Sequence, residues 1–395
     1  MRVLMVSDVY FPRINGVSTS IETFRRCLAA EGVEVRLVVP RYGNEAVEAG
    51  VLRVAGRPVP GDPEDRLPAW RAMRQTVLEA AGDCDLIHVQ TPFVAHYAGL
   101  HAARSLGLPV LATYHTLFEE YVEHYAPPGL RRVAAGALRG LARAWSRRQC
   151  NQLDALVVPS TPMRERLESY GVETPISVLP TGIPLRQFAA GDGAAFRQRF
   201  GIAAGRPLAL YVGRVAHEKN IDFLLQALPY ALQHCPQTLL LIAGEGPALN
   251  ALRAQVGSAG LKRHVQFLGY LDRQRDLPDC YAAADVFAFA SRTETQGLVL
   301  LEAMAAGLPV VGLAEMGTVD ILGAGRGCLV PPAAPAAFGA ALGFCLGDRD
   351  LRARLRHEAE VVASEWSDQA MATRLAALYR QLVAETRRAG QLVAG

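Results

Sequence analysis

The stretch from Asp285 to Leu313 limits the fold of this 395-residue chain more than any other. A short apolar run, DVFAFA (Asp285–Ala290), gives way to the polar loop SRTETQ. After Gly297 comes a second apolar run, LVLLEAMAA, made mostly of good helix formers. It stops at Gly307 and Pro309, and LPVVGL (Leu308–Leu313) closes the stretch. The residues from Gly297 to Ala314 approach the length of a bilayer span. Yet Glu302 near their centre would cost about 2.5–3.5 kcal/mol in lipid, and the Gly and Pro end the helix after about two and a half turns. Strand, loop, helix and strand therefore predict a parallel βαβ unit buried in a soluble domain.

Two carboxylates sit in this unit, Glu294 in the loop and Glu302 inside the helix. Ligands of parallel sheets lie at the carboxyl ends of strands, where helix N-termini point. There the N–H groups of Gly297 and Leu298 can hold an anion, assisted by the helix dipole. Glu302 has apolar neighbours, so a surface position does not explain it, and an unpaired buried carboxylate is expensive. A hydroxyl-rich ligand beside an anion accounts for it better, and a sugar nucleotide has that shape. The Glu-x7-Glu pattern with Gly297 between resembles the donor site of the retaining family 4 glycosyltransferases, of GT-B fold. The wording SRTETQGLVLLEAMA is similar to members that glucosylate diacylglycerol. The resemblance implies that Glu294 faces the transferred sugar and Glu302 holds the nucleotide ribose.

At this length two domains are expected. With 50% hydrophobic residues both can bury a core, and a formal net charge of +3 gives no argument for nucleic acid. Cys27, Cys84, Cys150, Cys235, Cys280, Cys328 and Cys345 are scattered without a Cys-x-x-Cys pair, which predicts reduced thiols in the cytosol and no zinc site. The N-terminus MRVLMVSDVYFP has an apolar run too short for a secretory signal, interrupted by Asp8, and reads as a first strand.

The loop after that strand contains Pro12 and Gly16 before a helix starting near Val17 or Ser18. It resembles the family's glycine loop, which places Gly16 near the donor phosphate. VEVRLVVP reads as the second strand, and residues 41–67, rich in Gly, Pro and charge, as a long connection. Asp83-Cys84-Asp85 is a DxD triplet, a metal-binding pattern in another glycosyltransferase fold, but it precedes its strand, at the end away from the ligand side. LPVLATY is a strand with His115 just past its carboxyl end. By resemblance this His hydrogen-bonds the transferred sugar, a role that suits a neutral imidazole. The following FEEYVEHY is similar to the acceptor-side segment of the lipid-glucosylating members, although Glu119, Glu120 and Glu123 also suit a solvated face.

Residues 127–150 hold six Arg and no acid. On a helix over 129–149, Leu130, Ala134, Ala137, Leu138, Leu141 and Trp145 share one face, and Arg132, Arg139, Arg143 and Arg147 lie opposite. A core-packed helix with a solvated basic side fits this pattern. The absence of any acid from Glu123 to Asp154 favours contact with an anionic membrane surface, each Arg contributing about 1 kcal/mol.

The Pro180–Pro184 turn ends the first domain near residue 185. In the second, LALYVG ends at Gly213, and Arg214 and Lys219 stand between that strand and a helix from about Asn220. Two cations at a strand's carboxyl end suit a diphosphate, whose charge grows as the nucleotide departs. GR…EKN resembles the family's phosphate-binding loop. LLLIAGEGP reads as a strand ending in a turn at Gly244, and by resemblance the nucleobase packs near Tyr270 and Leu271.

The expected architecture is α/β, GT-B: two Rossmann-like parallel-sheet domains facing an interdomain cleft. They comprise residues 1–185 (acceptor) and 186–367 (nucleotide sugar), with a helix in 368–395 crossing back to the first. The resemblance implies a retaining hexosyltransferase moving glucose from UDP-glucose to a membrane lipid such as diacylglycerol. Its front-side route has the departing diphosphate help deprotonate the acceptor, with cationic side chains replacing any essential metal. It would act in the cytoplasm, peripherally on the inner face of the cell membrane. A GDP-mannose-dependent transferase to phosphatidylinositol or another acceptor, a nucleotide-sugar epimerase and a non-catalytic sugar-nucleotide binder are the competing readings.

Overall fold

Strand segments such as Leu86–Val89, Leu208–Val212 and Val286–Phe289 are buried at every residue. Only a parallel sheet covered by helices on both faces buries a strand so completely. The computed structural model describes residues 1–59, 62–115 and 128–394. Two units divide the chain: Met1–Gly182 with Asp368–Gly395, and Ile183–Ser367.

The first unit contains β1 (Arg2–Val6), β2 (Glu34–Pro40), β3 (Val51–Val54), β4 (Gly56–Val59), β5 (Asp62–Pro68), β6 (Leu86–Val89), β7 (Val110–Thr113), β8 (Ala155–Val158) and β9 (Ile176–Val178). Its main sheet runs β3-β2-β1-β6-β7-β8-β9, parallel throughout. The order reverses between β1 and β6, so the loops after these two strands open at the switch point. The long connection expected over residues 41–67 contains strands of its own. These are β3, paired with β2 from Leu37↔Val51 to Pro40↔Val54, and an antiparallel β4–β5 hairpin. Only Val54 of β3 is fully buried, so this edge strand lacks the apolar run that marks the central ones.

The last helix, Asp368–Ala394, belongs to this unit. Met371, Ala372, Leu375, Ala376, Tyr379, Leu382 and Val383 recur at helical spacing and enter the same core as Val3, Met5, Ile21 and Leu86. Tyr379 also places its hydroxyl 2.6 Å from Nδ1 of His88, whose Nε2 is 2.7 Å from Thr113 Oγ1. Buried polar groups are thus paired in the middle of the sheet.

In the second unit β10 (Leu208–Val212), β11 (Leu239–Ala243), β12 (Val265–Gly269), β13 (Val286–Phe289), β14 (Val310–Gly312) and β15 (Cys328–Leu329) form a parallel sheet ordered β12-β11-β10-β13-β14-β15. Its switch point lies between β10 and β13. The expected βαβ unit is present: β13, the helix Leu298–Ala305 and β14.

Candidate active site

The loops after β10 and β13 leave the sheet on either side of the second switch point and meet. Asn220 adopts a left-handed conformation (φ 55°) after the single turn His217–Lys219, which Asn tolerates better than most residues. Its Nδ2 donates to the Ala290 carbonyl at 3.0 Å, tying the first loop to the end of β13. Lys219 beside it donates to Glu294 Oε1 at 2.7 Å, with both side chains about one-fifth exposed (21% and 20%). The Glu294 carbonyl accepts from the Gly317 N–H at 2.8 Å. A Cβ at Gly317 would stand 2.1 Å from the Thr295 carbonyl oxygen, so only glycine lets this backbone approach.

Arg214 pairs with Glu218 and remains largely exposed. Burial alone would raise the Glu218 carboxyl, but backbone donors and Arg214 hold it below the usual range. Tyr211 registers the whole group: burial and then the charges of Glu294 and Glu218 push its hydroxyl pKa up, and Arg214 opposes them. Glu294, Glu218 and Arg214 therefore all act on one buried phenol. Both cations already have carboxylate partners, so a diphosphate would compete for Arg214 and Lys219 with Glu218 and Glu294.

Gly297 caps the helix Leu298–Ala305 at φ 94°, and a Cβ there would lie 3.1 Å from Thr318 Cγ2. The first N–H groups of such a helix have no partner within it. Leu298 is half-buried against the core, while Glu302 is completely buried. Glu302 already has partners within the protein: Arg273 pairs with Oε1, and the Tyr281 hydroxyl donates to Oε2 at 2.9 Å. Burial and the Glu302 charge raise the Tyr281 pKa, which keeps it a donor. Neither partner is visible in the sequence, because Arg273 is one arginine among many and Tyr281 lies in an apolar helix.

Gly244 has a role within the fold itself. At φ 133° its Cβ would stand 2.0 Å from the Gly213 carbonyl oxygen, so the ends of β10 and β11 pack too closely for a side chain. Tyr270 is exposed and Leu271 half-buried after β12.

In the first unit, Gly16 opens the helix Gly16–Leu28, one residue earlier than expected, because Asn15 and Ser18 form a capping box. A Cβ at Gly16 would meet nothing within 4 Å. The fold therefore does not itself demand glycine there. His115, after β7, is half-buried, and its Nε2 lies 3.0 Å from Gln90 Oε1 in the loop after β6. Burial lowers its pKa to about 4, so the ring is neutral near pH 7. Asp83 and Asp85 pair with arginines: Asp83 with Arg2 and Arg36, Asp85 with Arg387. Among the described residues no group of three His, Cys, Asp or Glu could hold a metal, and all seven cysteines are buried and unbonded.

The arginine-rich helix spans Pro128–Cys150. The FEEYVEHY segment with Glu119, Glu120 and Glu123 lies outside the described residues, as does the Arg132 side chain. Over its described end the helix turns inward a face that holds neither Leu141 nor the whole of Trp145, while Leu130, Ala134, Ala137 and Leu138 have side chains outside the described residues. Ala142, Ser146, Gln149 and Cys150 are buried, while Leu141 is 67% exposed and Trp145 partly so. Small and polar side chains meet the sheet here: Ser146 Oγ is 3.0 Å from the Tyr114 hydroxyl, and Gln149 donates to the Pro92 carbonyl. Arg139, Arg143 and Arg147 are exposed, and Trp145 lies 6.4 Å from the half-exposed Phe93 ring. No helix among the described residues is long and apolar enough to cross a membrane.

Acid should destabilise the first unit. Burial holds His88 at about 3 and His96 and His115 at about 4, whereas unfolded rings titrate near 6.5. The unfolded chain then binds more protons, and the stability these neutral rings confer is lost as pH falls below about 6.5. Asp8 acts oppositely: burial raises it to about 6, so its contribution is full below about 4 and lost as pH rises through 6. Three groups outweigh one, and the melting temperature is expected to fall between pH 7 and pH 5. His96→Phe should flatten that fall, and a melting temperature that does not fall would contradict the account.

Residues 14–187 match the model for "Glycosyltransferase Family 4", and residues 192–362 that for "Glycosyl transferases group 1". The chain is 33% identical over 320 residues to an alpha-monoglucosyldiacylglycerol synthase of Streptococcus pneumoniae, covering 79% of this chain and 70% of that protein. It is 29% identical over 341 residues to a GDP-mannose-dependent alpha-mannosyltransferase of Mycobacterium tuberculosis, covering 84% of each. Among solved structures, Anabaena Alr3699/HepE in complex with UDP superposes with a TM-score of 0.75 at 19% identity, over 96% of this chain and 100% of that one. At that identity the match speaks for the fold.

Proposed function

The chain belongs to the family 4 glycosyltransferases of GT-B fold and is a retaining hexosyltransferase, and on that premise we propose that it moves glucose from UDP-glucose to a membrane lipid such as diacylglycerol. The observation that carries the reading is the meeting of Lys219 and Glu294 at the second switch point, beside the helix that buries Glu302. In this reading Lys219 and Arg214 take the diphosphate, Glu294 turns to the transferred sugar, and Glu302 meets the ribose. Gly297 and Leu298 bring helix N–H groups to the phosphate, Gly16 leaves room on the acceptor unit, and the base stacks near Tyr270 and Leu271. His115, neutral at working pH, hydrogen-bonds the sugar without a competing charge. The leaving diphosphate accepts the acceptor proton, and side-chain cations serve in place of a metal.

Support for a lipid acceptor comes from the similarity to the synthase named above. The exposed Leu141 and partly exposed Trp145, on the helix that also exposes Arg139, Arg143 and Arg147, add to it, since apolar anchors and cations on one helix suit the surface of an anionic membrane. The enzyme would then work peripherally at the cytosolic face. Transfer of mannose from a GDP donor is the second reading, favoured by the similarity to the mannosyltransferase. One experiment separates them: UDP- and GDP-sugars offered with diacylglycerol, phosphatidylinositol and soluble sugars as acceptors. Glucosyl-diacylglycerol from UDP-glucose is the expected product. Mannolipid from GDP-mannose would replace the first reading with the second, and product from a soluble sugar alone would remove the lipid acceptor.

A further inference from the structure

We infer that Gln90 is a positioning residue: it fixes the proton of the His115 ring on Nε2 and leaves Nδ1 to accept a hydrogen bond from a hydroxyl of the transferred sugar. The inference rests on the proposed contact between His115 and that sugar, and says which way the bond runs. Gln90 follows β6 and is 4% exposed. Its Oε1 lies 3.0 Å from His115 Nε2. A carboxamide oxygen can only accept, so the nitrogen opposite it carries the proton. Burial keeps the ring uncharged near pH 7, and a neutral imidazole holds a single N–H. Nδ1 therefore keeps a lone pair. Among the described residues the ring makes no other hydrogen bond.

The backbone that carries the amide is tied down on the other side. The Gln90 N–H donates to the Val6 carbonyl at 2.8 Å, joining it to the end of β1. At the next residue Thr91 Oγ1 accepts from the Asp8 N–H at 2.7 Å and donates to Asp8 Oδ2 at 2.8 Å. Asp8 Oδ1 also accepts from the Ala95 N–H at 3.0 Å. His115 follows β7, which pairs with β6 from Ile87↔Val110 to Val89↔Ala112. Two neighbouring strands and a buried carboxylate thus set the ring and its partner before any donor arrives, which is what a preorganised contact needs. Satisfying a buried polar side chain would also account for Gln90. That role predicts lost stability and nothing that passes through His115.

The test uses the full chain with Gln90→Met, which keeps the side chain's length and removes its acceptor, and with His115→Ala. In nitrogen-15 spectra of the parent, the ring signals absent from His115→Ala should show Nε2 protonated and Nδ1 bare, with the Nε2 proton slow to exchange. In Gln90→Met that proton should exchange too fast to be seen. Transfer from whichever nucleotide sugar the chain accepts should fall about five- to tenfold in Gln90→Met. The same substitution should cost nothing further in His115→Ala. Donors with single hydroxyls replaced by fluorine test the direction, because fluorine cannot donate. One of them should be penalised in the parent and not in His115→Ala; if none is, the ring does not accept and the inference is wrong. A parent ring protonated on Nδ1 would overturn it as well, since Gln90 would then donate to Nε2, and this result needs no variant at Gln90. An equal loss in both backgrounds would show that Gln90 acts without the ring, which also overturns the inference. Near-parent transfer by His115→Ala is a different failure: the proposed sugar contact goes, while the spectra still decide whether Gln90 sets the proton.

Discussion

Replacing Lys219 by Ala is expected to lower kcat/KM by about 10²–10³-fold, the usual consequence of removing one group that stabilises charge developing in a transition state. Glu294→Ala should cost at least as much. The two side chains form a 2.7 Å ion pair that is only about one-fifth exposed, and in the proposed reaction both are turned from each other to the donor. Because they retain some solvent, losing either should cost the fold only about 1 kcal/mol. Activity and stability therefore separate: far-ultraviolet circular dichroism and the melting temperature stay near those of the parent while turnover collapses. Groups that act as a unit are not additive, so the double variant should be little worse than the poorer single one. Near-normal turnover in either single variant would remove this loop pair from the chemistry.

The sheets were legible because parallel strands are apolar throughout. DVFAFA and LPVVGL could be placed on either side of their helix from composition alone, and the intervening loop then had to open at the ligand end. Lys219 stood out because Lys219 and Lys262 are the two lysines of the chain. What escaped was whatever depends on pairs distant in sequence. Asn220 bonds a carbonyl 70 positions on, and Gly317 receives Glu294 through backbone contact; neither has a local pattern. β3 escaped because an edge strand needs only one buried side. In the arginine-rich helix the inward face at the described end is likewise set by distant partners: Tyr114 and the Pro92 carbonyl meet Ser146 and Gln149, which no local apolar pattern marks.

Arg273→Ala should give the largest loss of stability. Glu302 is fully buried, with Arg273 and Tyr281 as its partners. Removing one member of a buried ion pair leaves an uncompensated charge and costs about 3–5 kcal/mol. Arg273 is itself 36% exposed, so water can partly replace it and the lower figure, about 3 kcal/mol, applies. For a unit of this size that is about 6–12 °C in melting temperature. The cause can be isolated by changing Glu302→Gln in the same chain. If the stranded charge is responsible, the double variant recovers part of the loss, because the amide still accepts from Tyr281 without needing a cation. If lost packing against Phe188, over which Arg273 lies at 5.7 Å, is responsible, the double variant melts no higher than Arg273→Ala. An Arg273→Ala protein that melts with the parent would mean Glu302 is held by something other than this pair.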